Sequence, residues 1–205
     1  MTKSSRSRGR AGSEPRGDRG RPGSPRARLF LALEPARADR ERLAAWRDEL
    51  VAGRDDLRPV APETLHLTLV FLGYRPEKEI PRIAELAFGA IAGAAAVALD
   101  PLAVKPVPPR NPRPFALDLA DEGGRAAAIH RAVSDALAAE RIHTPEKRPW
   151  WPHVTLARVK RNARAEPLEA DPPAGPIRAD TVTLYRSQLR PQGALYTPEA
   201  RTTLA

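Results

Sequence analysis

The chain has 205 residues, no cysteine and a formal net charge of +9. That length allows one sizeable core or two small coupled lobes, and the lack of cysteine excludes disulfides, a thiolate nucleophile and a cysteine-held zinc. The charge is concentrated: residues 1–28 hold nine Lys/Arg against Glu14 and Asp18, leaving 25 basic and 23 acidic residues for the remainder. The body is therefore close to neutral, and its basicity alone does not argue for a nucleic-acid-gripping surface.

Residues 1–26 are rich in Arg, Gly, Ser and Pro and carry almost no aliphatic side chains. They cannot bury enough apolar surface to offset the entropy of ordering, so a disordered basic tail is expected before a single domain over residues 27–205. A weak RNA tether and a bland solubilising extension are both compatible with such a tail. No apolar run approaches membrane-spanning length, and no signal-peptide core stands near the start; no membrane association and a cytoplasmic location are the expectations.

Structure is expected to begin with a buried strand at Arg28–Leu33, followed by an amphipathic helix over 36–52 with Leu43, Trp46 and Leu50 on one stripe. A short strand at Leu57–Val60 and a turn at Pro62-Glu63 lead into a strand over Leu65–Leu72, closed by Gly73. A second helix fits Pro76 to Gly93. Strands at Val97–Val104 and Phe115–Leu119 flank a proline-rich loop, Pro106 to Pro114. A third helix covers 123–141, with Ile129, Val133 and Leu137 spaced four apart. A strand over Trp151–Val159 follows. The last two, Ile177–Leu189 and Ala194–Thr203, are joined by a hairpin turn at Pro191-Gln192-Gly193. The irregular mixture favours an α+β fold with antiparallel sheets over a parallel doubly wound one.

Two phrases match. His66-Leu67-Thr68-Leu69 and His153-Val154-Thr155-Leu156 each follow the pattern His-x-Thr-x with aliphatics between. On a strand this puts His and Thr on one face and the aliphatics on the other. Two such strands facing one another would offer two imidazoles and two hydroxyls to one small anionic group. The order of helix then motif strand, seen twice, suggests an internal duplication.

Paired His-x-Thr-x motifs about ninety residues apart resemble the signature of the 2H phosphoesterase superfamily. The wider context is similar to its bacterial and archaeal RNA 2′,3′-cyclic phosphodiesterases, also called 2′-5′ RNA ligases. The resemblance extends through Arg28–Leu33, Pro62–Gly73, Arg148–Arg158, Leu184–Ser187 and Tyr196-Thr197. Only the loop Pro108–Pro114 is longer than the family pattern. It implies a bilobal fold of two pseudo-symmetric lobes, antiparallel sheets with outer helices around a central groove, interleaved in sequence. It also implies a likeness in activity: hydrolysis of RNA ending in a 2′,3′-cyclic phosphate to a 2′-phosphomonoester, with reversible 2′-5′ ligation. No metal, no other cofactor and a monomeric enzyme belong to the same expectation.

Opening a cyclic phosphodiester needs one proton taken from the attacking water and one given to the leaving ribose oxygen. Histidine suits both, with an unperturbed pKa of about 6.5. The resemblance implies His66 as proton donor and His153 as proton acceptor; the residues themselves leave the direction open. Thr68 and Thr155 would bind the non-bridging oxygens, and Arg158 matches a family position that contacts phosphate. Strict alternation would put Arg158 on the face opposite His153, so a bulge or strand end is needed to turn it inward. Arg148 suits an ion pair or a phosphate contact equally. Core packing is favoured for Phe30 and Tyr185, base stacking and packing are balanced for Trp150 and Trp151, and His130 and His143 are expected at the surface.

Two other readings use the same residues. A histidine-bound metal hydrolase lacks any H-E-x-x-H or close histidine pair. A non-catalytic RNA-binding module would use the groove and the basic tail without turnover.

Overall fold

The structure, a computed structural model, describes residues 25–190 and 193–205. Nearly all of the expected basic tail, and Pro191 and Gln192 of the expected hairpin turn, lie outside the described residues. In chain order the elements are β1 (Arg26–Pro35), α1 (Arg37–Leu50), β2 (Leu57–Pro59), β3 (Leu67–Pro76), α2 (Ile80–Gly89), β4 (Val97–Pro106), β5 (Pro114–Ala120), α3 (Arg125–Ala139), β6 (His153–Val159), β7 (Ile177–Arg190) and β8 (Gly193–Thr203). Every ladder is antiparallel. The fold is α+β.

The strands run β2-β6-β5-β4-β7-β1-β3, with β8 added to β7. Two four-stranded halves, β2-β6-β5-β4 and β8-β7-β1-β3, meet where Val97–Leu99 pairs with Ile177–Ala179. Within each half the order outward from the junction is the same: β7-β1-β3 in one and β4-β5-β6 in the other. In both, a helix precedes the motif strand. β2, however, lies early in the chain and joins the β6 half, whereas β7 and β8 return to the β3 half, so neither half is contiguous in sequence.

Leu29, Leu31 and Leu33 alternate into the main core, together with Leu43 of α1, Leu117 of β5, Val133 and Leu137 of α3, and Val154 and Leu156 of β6. Each such side chain contributes about 1.5–3 kcal/mol on full burial. Arg47 of α1, only 2% exposed, donates to the Val60 carbonyl and so fixes the segment leading to the first motif.

Several boundaries differ from expectation: β3 starts at Leu67 rather than Leu65 and β6 at His153 rather than Trp151, and two further differences have a local cause. β3 runs through Gly73 to Pro76, because Gly73 at φ +66° occupies a register shift against Leu29 and Phe30 that only a left-handed residue accommodates easily. The second helix is shorter, Ile80–Gly89, preceded by a 3-10 turn over Glu77–Glu79; Pro81, with no amide hydrogen, sits in its first turn.

Candidate active site

The motif strands lie far apart in the strand order, β3 at one end and β6 next to last at the other, yet they contact each other. The indole of Trp150, just before β6, donates from Nε1 to the Thr68 carbonyl at 3.0 Å. That bond ties the second motif's approach to the first motif's backbone.

Both strands break their register at the same place. On β3, Ala32 pairs with Thr68 and Leu31 with Val70, leaving Leu69 as an extra residue. On β6, Ala116 pairs with Thr155 and Phe115 with Ala157, leaving Leu156 as the extra residue. Each bulge follows the motif threonine and inverts the alternation beyond it. Arg158 is thereby turned to the face of His153 and Thr155, and on β3 the equivalent position is Phe71.

The two histidines are anchored alike. The Nδ1–H of His66 donates to the Thr64 carbonyl at 2.6 Å, and that of His153 to the Trp151 carbonyl at 2.8 Å. A carbonyl only accepts, so Nδ1 carries the proton in each neutral ring and Nε2 is left for chemistry. The Thr68 hydroxyl lies 3.2 Å from His66 Nε2.

Their surroundings differ. The His66 ring is packed among Phe30, Tyr196 and Tyr185, at centroid distances of 5.1, 5.4 and 6.4 Å. His153 rests on one plane, stacked 4.1 Å from Trp151 at 15°. Trp151 in turn donates from Nε1 to buried Asp118, which also pairs with Lys105. On the other side, buried Glu34 accepts from Thr183, Tyr185 and Arg40. Burial alone would raise the Glu34 carboxyl, but those bonds and the Arg201 charge outweigh it and hold it below the usual range. Burial also pushes the Tyr185 hydroxyl up to about 12, with Glu34 adding to the effect.

Burial lowers His66 to about 4, the charges of His153 and Arg158 assisting while the Thr64 carbonyl and Glu34 oppose. His66 is therefore neutral near pH 7. The ring is half-buried, and it faces a groove of about 540 Å³.

His66, Thr68, Thr155 and Arg158 line this groove, joined by Arg28, Arg58, Phe71, Arg190 and Tyr196. His153, two residues before Thr155, stands beside it under Trp151. Phe71 is 43% exposed, with the Arg28 guanidinium 4.4 Å over its ring. Phe30 and Tyr185 are buried. Both tryptophans serve as braces, and Trp150 also stacks on half-buried His130 at 5.2 Å. Arg148 is exposed and neither lines the groove nor pairs with a carboxylate among the described residues.

Sequence reasoning missed Asp118 and Glu34, although a signal was present. Ala32-Leu33-Glu34 and Ala116-Leu117-Asp118 are a second repeated phrase, each on the strand beside a motif strand. An acid within an apolar strand is costly unless bonded, and that alone marks a built position. Phe71 was equally legible as the fifth residue after His66, matching Arg158 after His153.

Two lobes of antiparallel sheet that each set a His-x-Thr strand against a shared groove define the class of 2H phosphoesterases. The LigT like Phosphoesterase family model matches residues 33–116. An RNA 2′,3′-cyclic phosphodiesterase of Thermus thermophilus is 33% identical over 150 residues, covering 68% of this chain and 72% of that one. Another of that name, from Aeropyrum pernix, is 31% identical over 167 residues, covering 76% and 90%. The crystal structure of E. coli LigT complexed with 3′-AMP superposes with a TM-score of 0.70 at 27% identity, over 88% of this chain and 99% of that one. The chain belongs to the LigT-like phosphoesterase family.

Proposed function

We propose that the protein hydrolyses the 2′,3′-cyclic phosphate at the end of an RNA chain to a 2′-phosphomonoester, with 2′-5′ ligation as the reverse reaction. The observation that carries this is the matched anchoring of two histidines by Nδ1, which leaves Nε2 of each available, His66 in the lining of a threonine-lined groove and His153 two residues before Thr155 of that lining. The names of the curated relatives and the 3′-AMP held by a solved one support the substrate class.

In this reading the cyclic phosphate sits between the motif strands, and its non-bridging oxygens accept from the hydroxyls of Thr68 and Thr155 and from Arg158. Water attacks phosphorus opposite the 3′ oxygen. His153 Nε2 takes the water proton while His66 Nε2 gives a proton to the departing 3′ oxygen. The threonines and Arg158 neutralise the charge that builds on the equatorial oxygens. Because His66 is held at about 4, the ring takes up a proton from solvent as the substrate binds, the anionic phosphate raising its affinity. The groove is complete within one chain, which supports a monomer as the working unit.

The test is to incubate the protein with RNA ending in a 2′,3′-cyclic phosphate and identify the product. A 2′-phosphate end supports the reading; an unchanged cyclic end overturns it. Direction is tested with a substrate whose 3′ bridging oxygen is replaced by sulfur, a better leaving group. If His66 is the donor, His66→Ala loses far less on the sulfur substrate than on the natural one, while His153→Ala loses the same on both.

A further inference from the structure

We propose that Arg58, beside Arg158 and at the groove end it shares with Arg190, forms a second anion subsite, which takes the internucleotide phosphate next to the cyclic end. The groove is then built for an RNA chain rather than for a single nucleotide. This rests on the phosphodiesterase reading above and goes beyond it by assigning a distinct site to a distinct phosphate.

β2 has only three residues, and its central one, Arg58, is the direct cross-strand partner of Arg158 on β6. Directly opposed side chains on an antiparallel pair project to the same face with β-carbons about 4.5–5.5 Å apart, and like charges placed so are destabilising. The usual remedy, a shared carboxylate, is missing: among the described residues neither guanidinium has an acidic group within 4.0 Å. Pro59, which cannot extend the ladder as a donor, follows Arg58. The short strand therefore buries Leu57 against Phe115 and Ala157 and presents the Arg58 side chain to the groove.

Arg58 also reaches across the groove. A β-carbon on Gly193, at the start of β8 in the other half, would lie 3.7 Å from its guanidinium atoms. Arg58 thus spans the end of the groove where β2 faces the β7–β8 hairpin. Arg190, paired with Gly193 in that hairpin, lines the same end. Among the described residues no Asp or Glu lines the groove, against four arginines. One singly charged cyclic phosphate, already met by two hydroxyls, two imidazoles and Arg158, does not account for the charge of Arg58 and Arg190 as well. A second phosphate does.

The experiment compares a nucleoside 2′,3′-cyclic phosphate with a dinucleotide bearing the same end, and with that dinucleotide carrying an uncharged methylphosphonate linkage. For the unmodified protein, removing the linkage charge should lower kcat/KM about tenfold or more. In Arg58→Met the two dinucleotides should react alike, and the dinucleotide-to-mononucleotide preference should fall by the same factor. The salt slope on the charged dinucleotide should flatten by about 0.7. Arg58→Lys should recover part of the preference, because it keeps the charge and loses the planar fork. If the unmodified protein is indifferent to the methylphosphonate, or if Arg58→Met lowers all three substrates equally, the second subsite is wrong and the hydrolase reading stands. If the unmodified protein opens none of the three, the hydrolase reading fails and the subsite with it.

Discussion

The His66 half and the His153 half share a backbone plan and differ in what encloses the imidazole. In both, Nδ1 is bound to the carbonyl two residues earlier, a bulge follows the threonine, and an Ala-Leu-acid strand lies alongside. His66, however, sits in a box of three aromatic rings, while the acid next to it is spent on Thr183, Tyr185 and Arg40. His153 lies on a single indole, and its neighbouring acid holds that indole in place. The repeated backbone delivers the two nitrogens, and the unrepeated side chains give each ring a different enclosure, burial lowering the proton affinity of His66. A duplicated scaffold in this way acquires two different surroundings from one motif.

The severest way to break the comparison is to remove either ring. His66→Ala and His153→Ala should each lower turnover of the cyclic substrate by about 10²–10⁴-fold with the fold intact by circular dichroism. Equal, near-normal rates in both would show that the shared plan is architectural only. A smaller effect should separate the halves. Trp151→Leu removes the plane beneath His153 and should reduce kcat about tenfold, with KM little changed, since a slightly misplaced base is costly. Trp151→Phe keeps the plane but loses the bond to Asp118, and should recover part of that loss. Tyr185→Phe, on the other side, keeps all three rings around His66, loses only the bond to Glu34, and should cost less than Trp151→Leu. A larger kcat loss in Tyr185→Phe than in Trp151→Leu would mean that the boxed histidine, not the stacked one, is the poorly braced member.

Much of this site is legible in the sequence. The motif phrases carry a period of two, which assigns His and Thr to one strand face without further information. The need for a bulge before Arg158 followed from the same parity, and β6 contains it at Leu156. The asymmetry was not readable, because it depends on contacts between distant segments. Tyr196 and Tyr185 reach His66 from β8 and β7, and Lys105 reaches Asp118 from β4. Nor could the sequence place β2, whose three residues carry too little pattern to reveal that Arg58 pairs with β6. The extent of β3 was misread for a related reason: a glycine that usually ends a strand here supplies a bulge inside one, since β1 continues alongside as far as Arg26.

The subtlest prediction concerns the box around His66. With a folded-state pKa of about 4 against the ordinary 6.5, this ring binds fewer protons in the folded chain than in the unfolded one between those values. Its neutral form therefore contributes stability that is complete above pH 6.5 and is lost as the pH falls toward 4. The depressed carboxyl of Glu34 acts in the same direction but only below its ordinary 4.5. The thermal midpoint should fall between pH 6.5 and 4 in the unmodified protein and fall less steeply in His66→Gln, which has no ring to titrate. Inorganic phosphate should shift the His66 midpoint upward in an NMR titration, because an anion in the groove favours the imidazolium. A midpoint near 6.5 in the free protein would mean that the aromatic box does not set the ring's affinity. A low midpoint that phosphate leaves in place would mean that His66 does not receive its proton with the substrate, and the donor role would then pass to His153.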